Sequence, residues 1–140
     1  MILLDTNVVS ELMRLLPDPG VIDWLNAQPR LSVWTSSITV LEIDAGLGVM
    51  PPGRRRSDRE RAFETLLQSV LQNRIAAFDL SAAREAARLA SARKRAGRIG
   101  EWHDTMIAGI AIAQRASLAT RNTRHFDDLP TPVVNPWEPK

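Results

Sequence analysis

Met1-Ile2-Leu3-Leu4-Asp5-Thr6-Asn7 runs four apolar residues straight into a carboxylate. Ile2 to Leu4 is too short and too apolar to show alternation, which is the pattern of a strand buried on both faces. Asp5, Thr6 and Asn7 are all cap formers, so a helix over Val8 to Leu16 is expected to follow, with Pro17 and Pro19 breaking it. A carboxylate just past a buried strand lies where open α/β sheets place their ligands, outside the carboxyl ends of the strands.

The same strand-then-helix grammar repeats along the chain. Val21, Ile22, Trp24 and Leu25 predict a second helix after Gly20, and Leu31 to Thr35 is rich in strand formers. Ser36 or Ser37 caps a helix over Ile38 to Leu47. Met50 to Ser57 reads as a loop carrying Pro51, Pro52, Gly53 and the run Arg54-Arg55-Arg56. Ser57 and Glu60 have capping-box spacing, which predicts a helix to Gln72 with Phe63, Leu66, Leu67, Val70 and Leu71 on its apolar face. Arg74 to Phe78 follows as a strand, Ser81 opens a long helix ending near Gly97, and Glu101 to Arg115 is another helix. Leu118 to Thr120 and Val133-Val134 are the last strands. Strands alternating with helices predict an α/β fold with a parallel sheet flanked by helices. No repeat or linker interrupts the 140 residues, so a single domain over 1–140 is expected.

Composition narrows the chemistry. Without cysteine there is no disulfide framework, thiol catalysis or cysteine zinc site, in keeping with a reducing compartment. The N-terminus has no basic region followed by an apolar run, and no apolar stretch approaches the roughly 20 residues that span a bilayer. The expectation is a soluble, cytoplasmic protein with no membrane partner. Net charge is only +2, yet 16 of the 18 basic residues are arginine, the exceptions being Lys94 and Lys140. Arginine binds phosphate bidentately and stacks on bases, which suits a nucleic-acid partner; codon bias in a GC-rich genome produces the same skew.

Two further acids stand at helix starts. Glu42 lies three residues after Thr39, the capping-box spacing, and Asp104 falls in the first turn of its helix, where the macrodipole favours an anion. Each of Asp5, Glu42 and Asp104 has a plain reading as a cap or turn residue. In a parallel sheet, however, the strand-to-helix junctions share one edge, so the three face one crevice and repel one another unless a cation sits between them. A hard divalent ion, Mg²⁺ or Mn²⁺, is the usual solution. Glu101, three residues before Asp104, is another candidate on that edge.

Other chemistries lack their signatures. There is no G-x-x-x-x-G-K-[ST], no G-x-G-x-x-G and no G-x-S-x-G. His103 and His125 have no zinc spacing and read as surface or hydrogen-bonding residues, with His125 the better placed to approach the site. A phosphoacceptor receiver domain needs a pair of acids at the first strand and a lysine after a late one; here Asp5 is alone and neither lysine fits.

Leu3-Leu4-Asp5-Thr6-Asn7, Ile38-Thr39-Val40-Leu41-Glu42, Asp104-x-x-Ile107-Ala108, Leu118-Ala119-Thr120-Arg121-Asn122-Thr123 and Val134-Asn135-Pro136-Trp137 together resemble the PIN-domain ribonucleases, most closely the VapC and FitB toxins of type II toxin–antitoxin systems. The resemblance covers essentially the whole chain. It implies a metal-dependent endoribonuclease with Asp5, Glu42 and Asp104 as the catalytic, Mg²⁺- or Mn²⁺-binding acids and Thr6 and Asn7 as supports. The fourth position, acidic in many members, matches Asn122, which can ligate through its carbonyl but adds no charge. One ion or two, and which carboxylate takes the proton from water, stay open. The resemblance also implies a homodimer and a cognate VapB/FitA-like antitoxin. Val9, Leu12, Met13 and the Ser57 to Gln72 helix either receive an amphipathic antitoxin helix or are ordinary core or homodimer interface. Arg121 and Arg124 beside Asn122 are candidate RNA contacts; the Arg54-Arg55-Arg56 run is either a contact or a solvated charge run. The alternative function is a catalytically weak PIN-fold binding module acting on RNA or within an antitoxin complex.

Overall fold

A computed structural model describes residues 1–138, so the last two positions of the expected 1–140 domain lie outside it. Five strands, β1 (Ile2–Leu4), β2 (Val33–Ser36), β3 (Ile75–Ala76), β4 (Ser117–Ala119) and β5 (Val133–Val134), form one sheet in the order β3-β2-β1-β4-β5. Every pairing is parallel. Six α-helices connect them: α1 (Thr6–Leu12), α2 (Pro19–Asn26), α3 (Ser37–Gly48), α4 (Arg54–Thr65), α5 (Leu80–Arg95) and α6 (Trp102–Gln114). None is long and apolar enough to cross a membrane.

The central strands explain why β1 reads as an unbroken apolar run. Successive side chains leave a strand on opposite faces. Leu3 and Leu118 enter a core with Ile107, Ile110 and Phe126, while Leu4 and Ala119 enter a second core with Val8, Val9, Phe63 and Leu71. A sheet covered on both faces leaves no position for a polar residue until the strand ends, and that is where Asp5 stands. On the first face, α5 and α6 pack closely because Gly109 has no side chain: a Cβ there would lie 2.5 Å from the Ala82 carbonyl oxygen.

The α/β reading holds, and several element bounds move. α1 ends at Leu12, not Leu16, leaving Leu15 and Leu16 exposed. β2 begins at Val33 after a 3-10 turn over Arg30–Ser32. The basic run is helical, not a loop: α4 starts at Arg54 behind Gly53, and the Ser57 N–H donates to the Gly53 carbonyl, not to a capping side chain. Glu60 pairs with Arg56 at 3.1 Å, so the Ser57 capping box does not form. The signal misleads because Pro51, Pro52 and three arginines hide a helix start; cations there oppose the macrodipole. A single π turn over Leu66–Val70 continues α4.

Candidate metal and nucleic-acid site

Beyond the carboxyl ends of β1, β2 and β4 lies a cleft of about 510 Å³. Asp5, Glu42 and Asp104 all line it, with Thr6, Asn7 and Asn122. Parallel register places Asp5. Leu4 pairs with Ala119, the Asp5 N–H donates to the Ala119 carbonyl at 2.9 Å, and the next residue, Thr120, comes alongside. The buried Thr120 hydroxyl donates to Asp5 Oδ2 at 2.7 Å, and the Thr6 N–H donates to Oδ1 at 2.8 Å as α1 begins. Asn7 bridges the same segment: its Oδ1 accepts from the Arg121 N–H at 3.2 Å and its amide donates to Thr120 Oγ1 at 3.4 Å.

Asp5 is only 3% exposed. Burial pushes its carboxyl from 3.8 up to about 6; the Asp104 and Glu42 charges push the same way, against the bonds from Thr120 and Thr6. The expected mutual repulsion is therefore present at this carboxylate.

Glu42 sits in the second turn of α3. Its spacing from Thr39 is not a capping box: Ser36 is the N-cap, accepting from the Thr39 N–H at 3.1 Å. Glu42 Oε1 instead accepts from the Thr6 hydroxyl at 2.8 Å, and His103 Nδ1 lies 3.6 Å from Oε2. Asp104 occupies the first turn of α6, with Oδ2 2.9 Å from His125 Nδ1. His125 thus reaches the site, as its place after β4 indicated. Glu101 does not join the acids at the cleft: its carboxylate caps α6, accepting from the His103 and Asp104 N–H groups at 3.0 Å each.

Six residues at the cleft escaped the sequence reading: Ser10 and Glu11 on α1, Arg14, Arg59 and Trp137 in its wall, and Thr120 behind Asp5, with Glu11 paired to Arg14 at 3.1 Å. Thr120 had a signal, because it follows β4 on the same edge as Asp5. The others come from α1 and its exit, α4 and the chain's end, and only folding brings them near. Arg121 lines the cleft with its guanidinium 5.0 Å from the Trp137 ring centroid. Arg124 instead lines an adjoining hollow of about 260 Å³ with His125 and Asp104, so Asp104 is a wall of both spaces. Arg54 and Arg55 line a third groove along α3 and α4, which shares Thr6, Glu42 and Arg59 with the cleft but lies on the far side of Glu42 from Asp104 and Asn122.

The donor set fits a hard divalent cation. It offers carboxylate and carbonyl oxygens and no thiolate, and its deepest carboxylate is held against its own repulsion. Among the described residues no three acid or histidine side chains close into a ready cage. Mg²⁺ asks for less, since it keeps several waters and takes one or two carboxylates directly.

A parallel α/β domain with an acidic cleft at the carboxyl edge of its central strands is the class that fold and site define. The PIN domain family matches residues 2–131, and the chain belongs to it. It is 40% identical over 139 residues to the VapC ribonuclease Y4jK of Sinorhizobium fredii, covering 99% of each chain. It is 34% identical over 137 residues to Toxin FitB of Neisseria gonorrhoeae, covering 98% of this chain and 99% of that one. Among solved structures, FitAB bound to an IR36 DNA fragment superposes with a TM-score of 0.89 at 33% identity, covering 100% of this chain and 98% of that one.

Proposed function

We propose that this chain is a metal-dependent endoribonuclease, the toxin of a type II toxin–antitoxin pair. The observation that carries the reading is the meeting of Asp5, Glu42 and Asp104 at one cleft, in a PIN-family chain 40% identical to a VapC ribonuclease. Asp5, Asp104 and Glu42 would hold Mg²⁺ or Mn²⁺, and Asn122 would add a neutral oxygen donor or orient a water. When bound, the ion lowers the pKa of water and neutralises charge on the scissile phosphate.

The chain's own residues do the rest. Thr120 and the Thr6 N–H fix both oxygens of Asp5, the Thr6 hydroxyl orients Glu42 and His125 orients Asp104. Arg14, Arg59 and Arg121 in the cleft and Arg124 in the hollow hold the RNA backbone on either side of Asp104. No serine, cysteine or histidine nucleophile is required for hydrolysis by water. The protein acts in the cytoplasm as a homodimer.

The partner is a small antitoxin of the VapB/FitA kind, with a basic side chain that pairs with the cleft carboxylates. Val9 is fully buried in the core and cannot receive it; the half-buried Leu12 and Met13 and the exposed Leu15 and Leu16 offer the apolar surface. The alternative, a weakly catalytic binding module, draws on Asn122, which removes one charge from the cleft.

Incubation of the purified chain with RNA in Mg²⁺ or Mn²⁺ tests the reading. The wild type cleaves internally, EDTA stops it, and Asp104→Asn is inactive. RNA that is bound but left intact by the wild type supports the binding module. A cleaving chain that no antitoxin inhibits removes the toxin part alone.

A further inference from the structure

Behind Glu42 runs a buried file of hydroxyls. Thr6 Oγ1 donates to Glu42 Oε1 at 2.8 Å, Thr39 Oγ1 lies 3.0 Å from Thr6 Oγ1, and Ser36 Oγ donates to Thr39 Oγ1 at 3.3 Å. The Thr39 N–H donates back to Ser36 Oγ at 3.1 Å. Ser36 and Thr39 are both wholly buried.

Each hydroxyl carries one proton, and an ionised carboxylate only accepts. The Thr6 proton is therefore committed to Glu42, so the Thr6 oxygen accepts from Thr39. The Thr39 oxygen in turn accepts from Ser36, whose own oxygen takes the backbone N–H. All four bonds are satisfied in one direction only, from the cap of α3 to the carboxylate. Chains of hydrogen bonds polarise and strengthen one another in a low-dielectric interior.

We infer that Thr39 is a positioning residue. It holds the Thr6 hydroxyl on Glu42 Oε1, which fixes the carboxylate's rotation and leaves Oε2 to bind a divalent cation. This rests on the proposed role of Glu42 as a cation ligand. Outer partners of ligating carboxylates typically govern affinity through orientation. A merely structural Thr39 would satisfy buried polar groups and contribute stability alone.

The test is a titration of the full-length chain with Mn²⁺ by calorimetry, without RNA, for wild type, Thr39→Val and Thr39→Ser. Valine keeps the shape and deletes the hydroxyl; serine restores it. Thr39→Val weakens Mn²⁺ binding by about 10- to 100-fold, the range for outer-shell partners, and Thr39→Ser recovers most of it. Equal affinity in wild type and Thr39→Val overturns the inference, as does loss in Thr39→Ser equal to that in valine, or a wild type that binds no Mn²⁺. A wild type with Thr39-dependent Mn²⁺ binding and no RNA cleavage supports the inference and defeats the ribonuclease reading alone. If Thr39→Val does not fold, the wild type decides: its Thr39 hydroxyl proton gives a slowly exchanging NMR resonance close to the Thr6 side chain. Absence of that resonance overturns the inference.

Discussion

Two clusters of charge meet at one hollow, lined by Arg93 of the first and Asp104 of the second, and they are built oppositely. Arg93, 5% exposed, commits four of its five guanidinium N–H groups: to both Asp128 oxygens at 2.8 Å, to the His125 carbonyl at 2.8 Å and to Thr105 Oγ1 at 3.2 Å. In the cleft, Asp5, Glu42 and Asp104 face one another and are held by hydroxyls, N–H groups and histidines, with no arginine or lysine ion-paired to them among the described residues. The first cluster is closed on itself and stabilises the turn that carries His125. In the second no arginine or lysine among the described residues is bonded to the three acids, and burial, with the Asp104 and Glu42 charges beside it, pushes Asp5 up to about 6. A buried charge that finds its partner inside the chain is architecture. Buried charges that do not find one mark where a ligand belongs.

The sharpest way to break this contrast is to remove an acid from the cleft. Asp5→Asn and Asp104→Asn should each reduce RNA cleavage to background in an assay with Mg²⁺ or Mn²⁺, while circular dichroism shows the fold retained. Wild-type cleavage by either variant would contradict the assignment.

Next comes the closed cluster. Arg93→Met removes the bidentate partner of the partly exposed Asp128, which keeps only Arg98 at 3.3 Å, and breaking the pair should cost about 3 kcal/mol, the low end for buried pairs. Calorimetry should show a melting point lower by roughly 10 °C. Its effect on cleavage, measured well below that temperature, should be far smaller than that of Asp5→Asn.

The two regions should also differ in the sign of their pH dependence. Asp5's folded pKa of about 6 lies above its ordinary 3.8, so the folded state holds a proton that the unfolded state releases in between. Its contribution is full below the ordinary value and is lost as pH rises through the folded one. At 1.36 kcal/mol per unit the swing is up to about 3 kcal/mol. Asp5→Asn should therefore flatten the fall in stability between about pH 4 and 6. In the absence of metal it should also be more stable than wild type at pH 7, by urea unfolding. Arg93 holds Asp128 below 3.8, so that carboxylate's contribution is lost only as pH falls beneath the usual range. Asp128→Asn should remove that acid limb.

The smallest effects belong to the rim. Neutralising Arg14, Arg59, Arg121 or Arg124 should flatten the dependence of RNA affinity on salt by about one unit or slightly less each. Arg54 and Arg55, which face another groove, should leave the slope unchanged. An equal response from both sets would erase the distinction between cleft and surface arginines.

Much of this was legible in the chain because it is local. An apolar triplet that ends in an acid is a buried strand with a ligand edge, and β1 is that strand. Of the two serines offered as the cap of α3, Ser36 is the one that takes it. The errors were also local: Ser57 and Glu60 matched a capping box that the real helix start at Arg54 overrides, and Thr39 and Glu42 matched one that Ser36 had already filled. Glu101 had the right edge and the right spacing, yet its carboxylate is used up by the N–H groups beneath it.

What the sequence determined alone was the fold class and the strand-to-helix edge on which Asp5, Glu42 and Asp104 stand, because strand runs, helix periods and caps are set by neighbours a few residues apart. The tertiary structure decided how those acids are held. The Thr120 to Asp5 bond spans 115 residues, Thr6 to Glu42 spans 36, Arg93 to Asp128 spans 35 and Asp104 to His125 spans 21. No pattern of short spacing encodes such pairs. Parallel register sets them, because each strand returns only after a helical crossover and its end then meets residues far away in the chain.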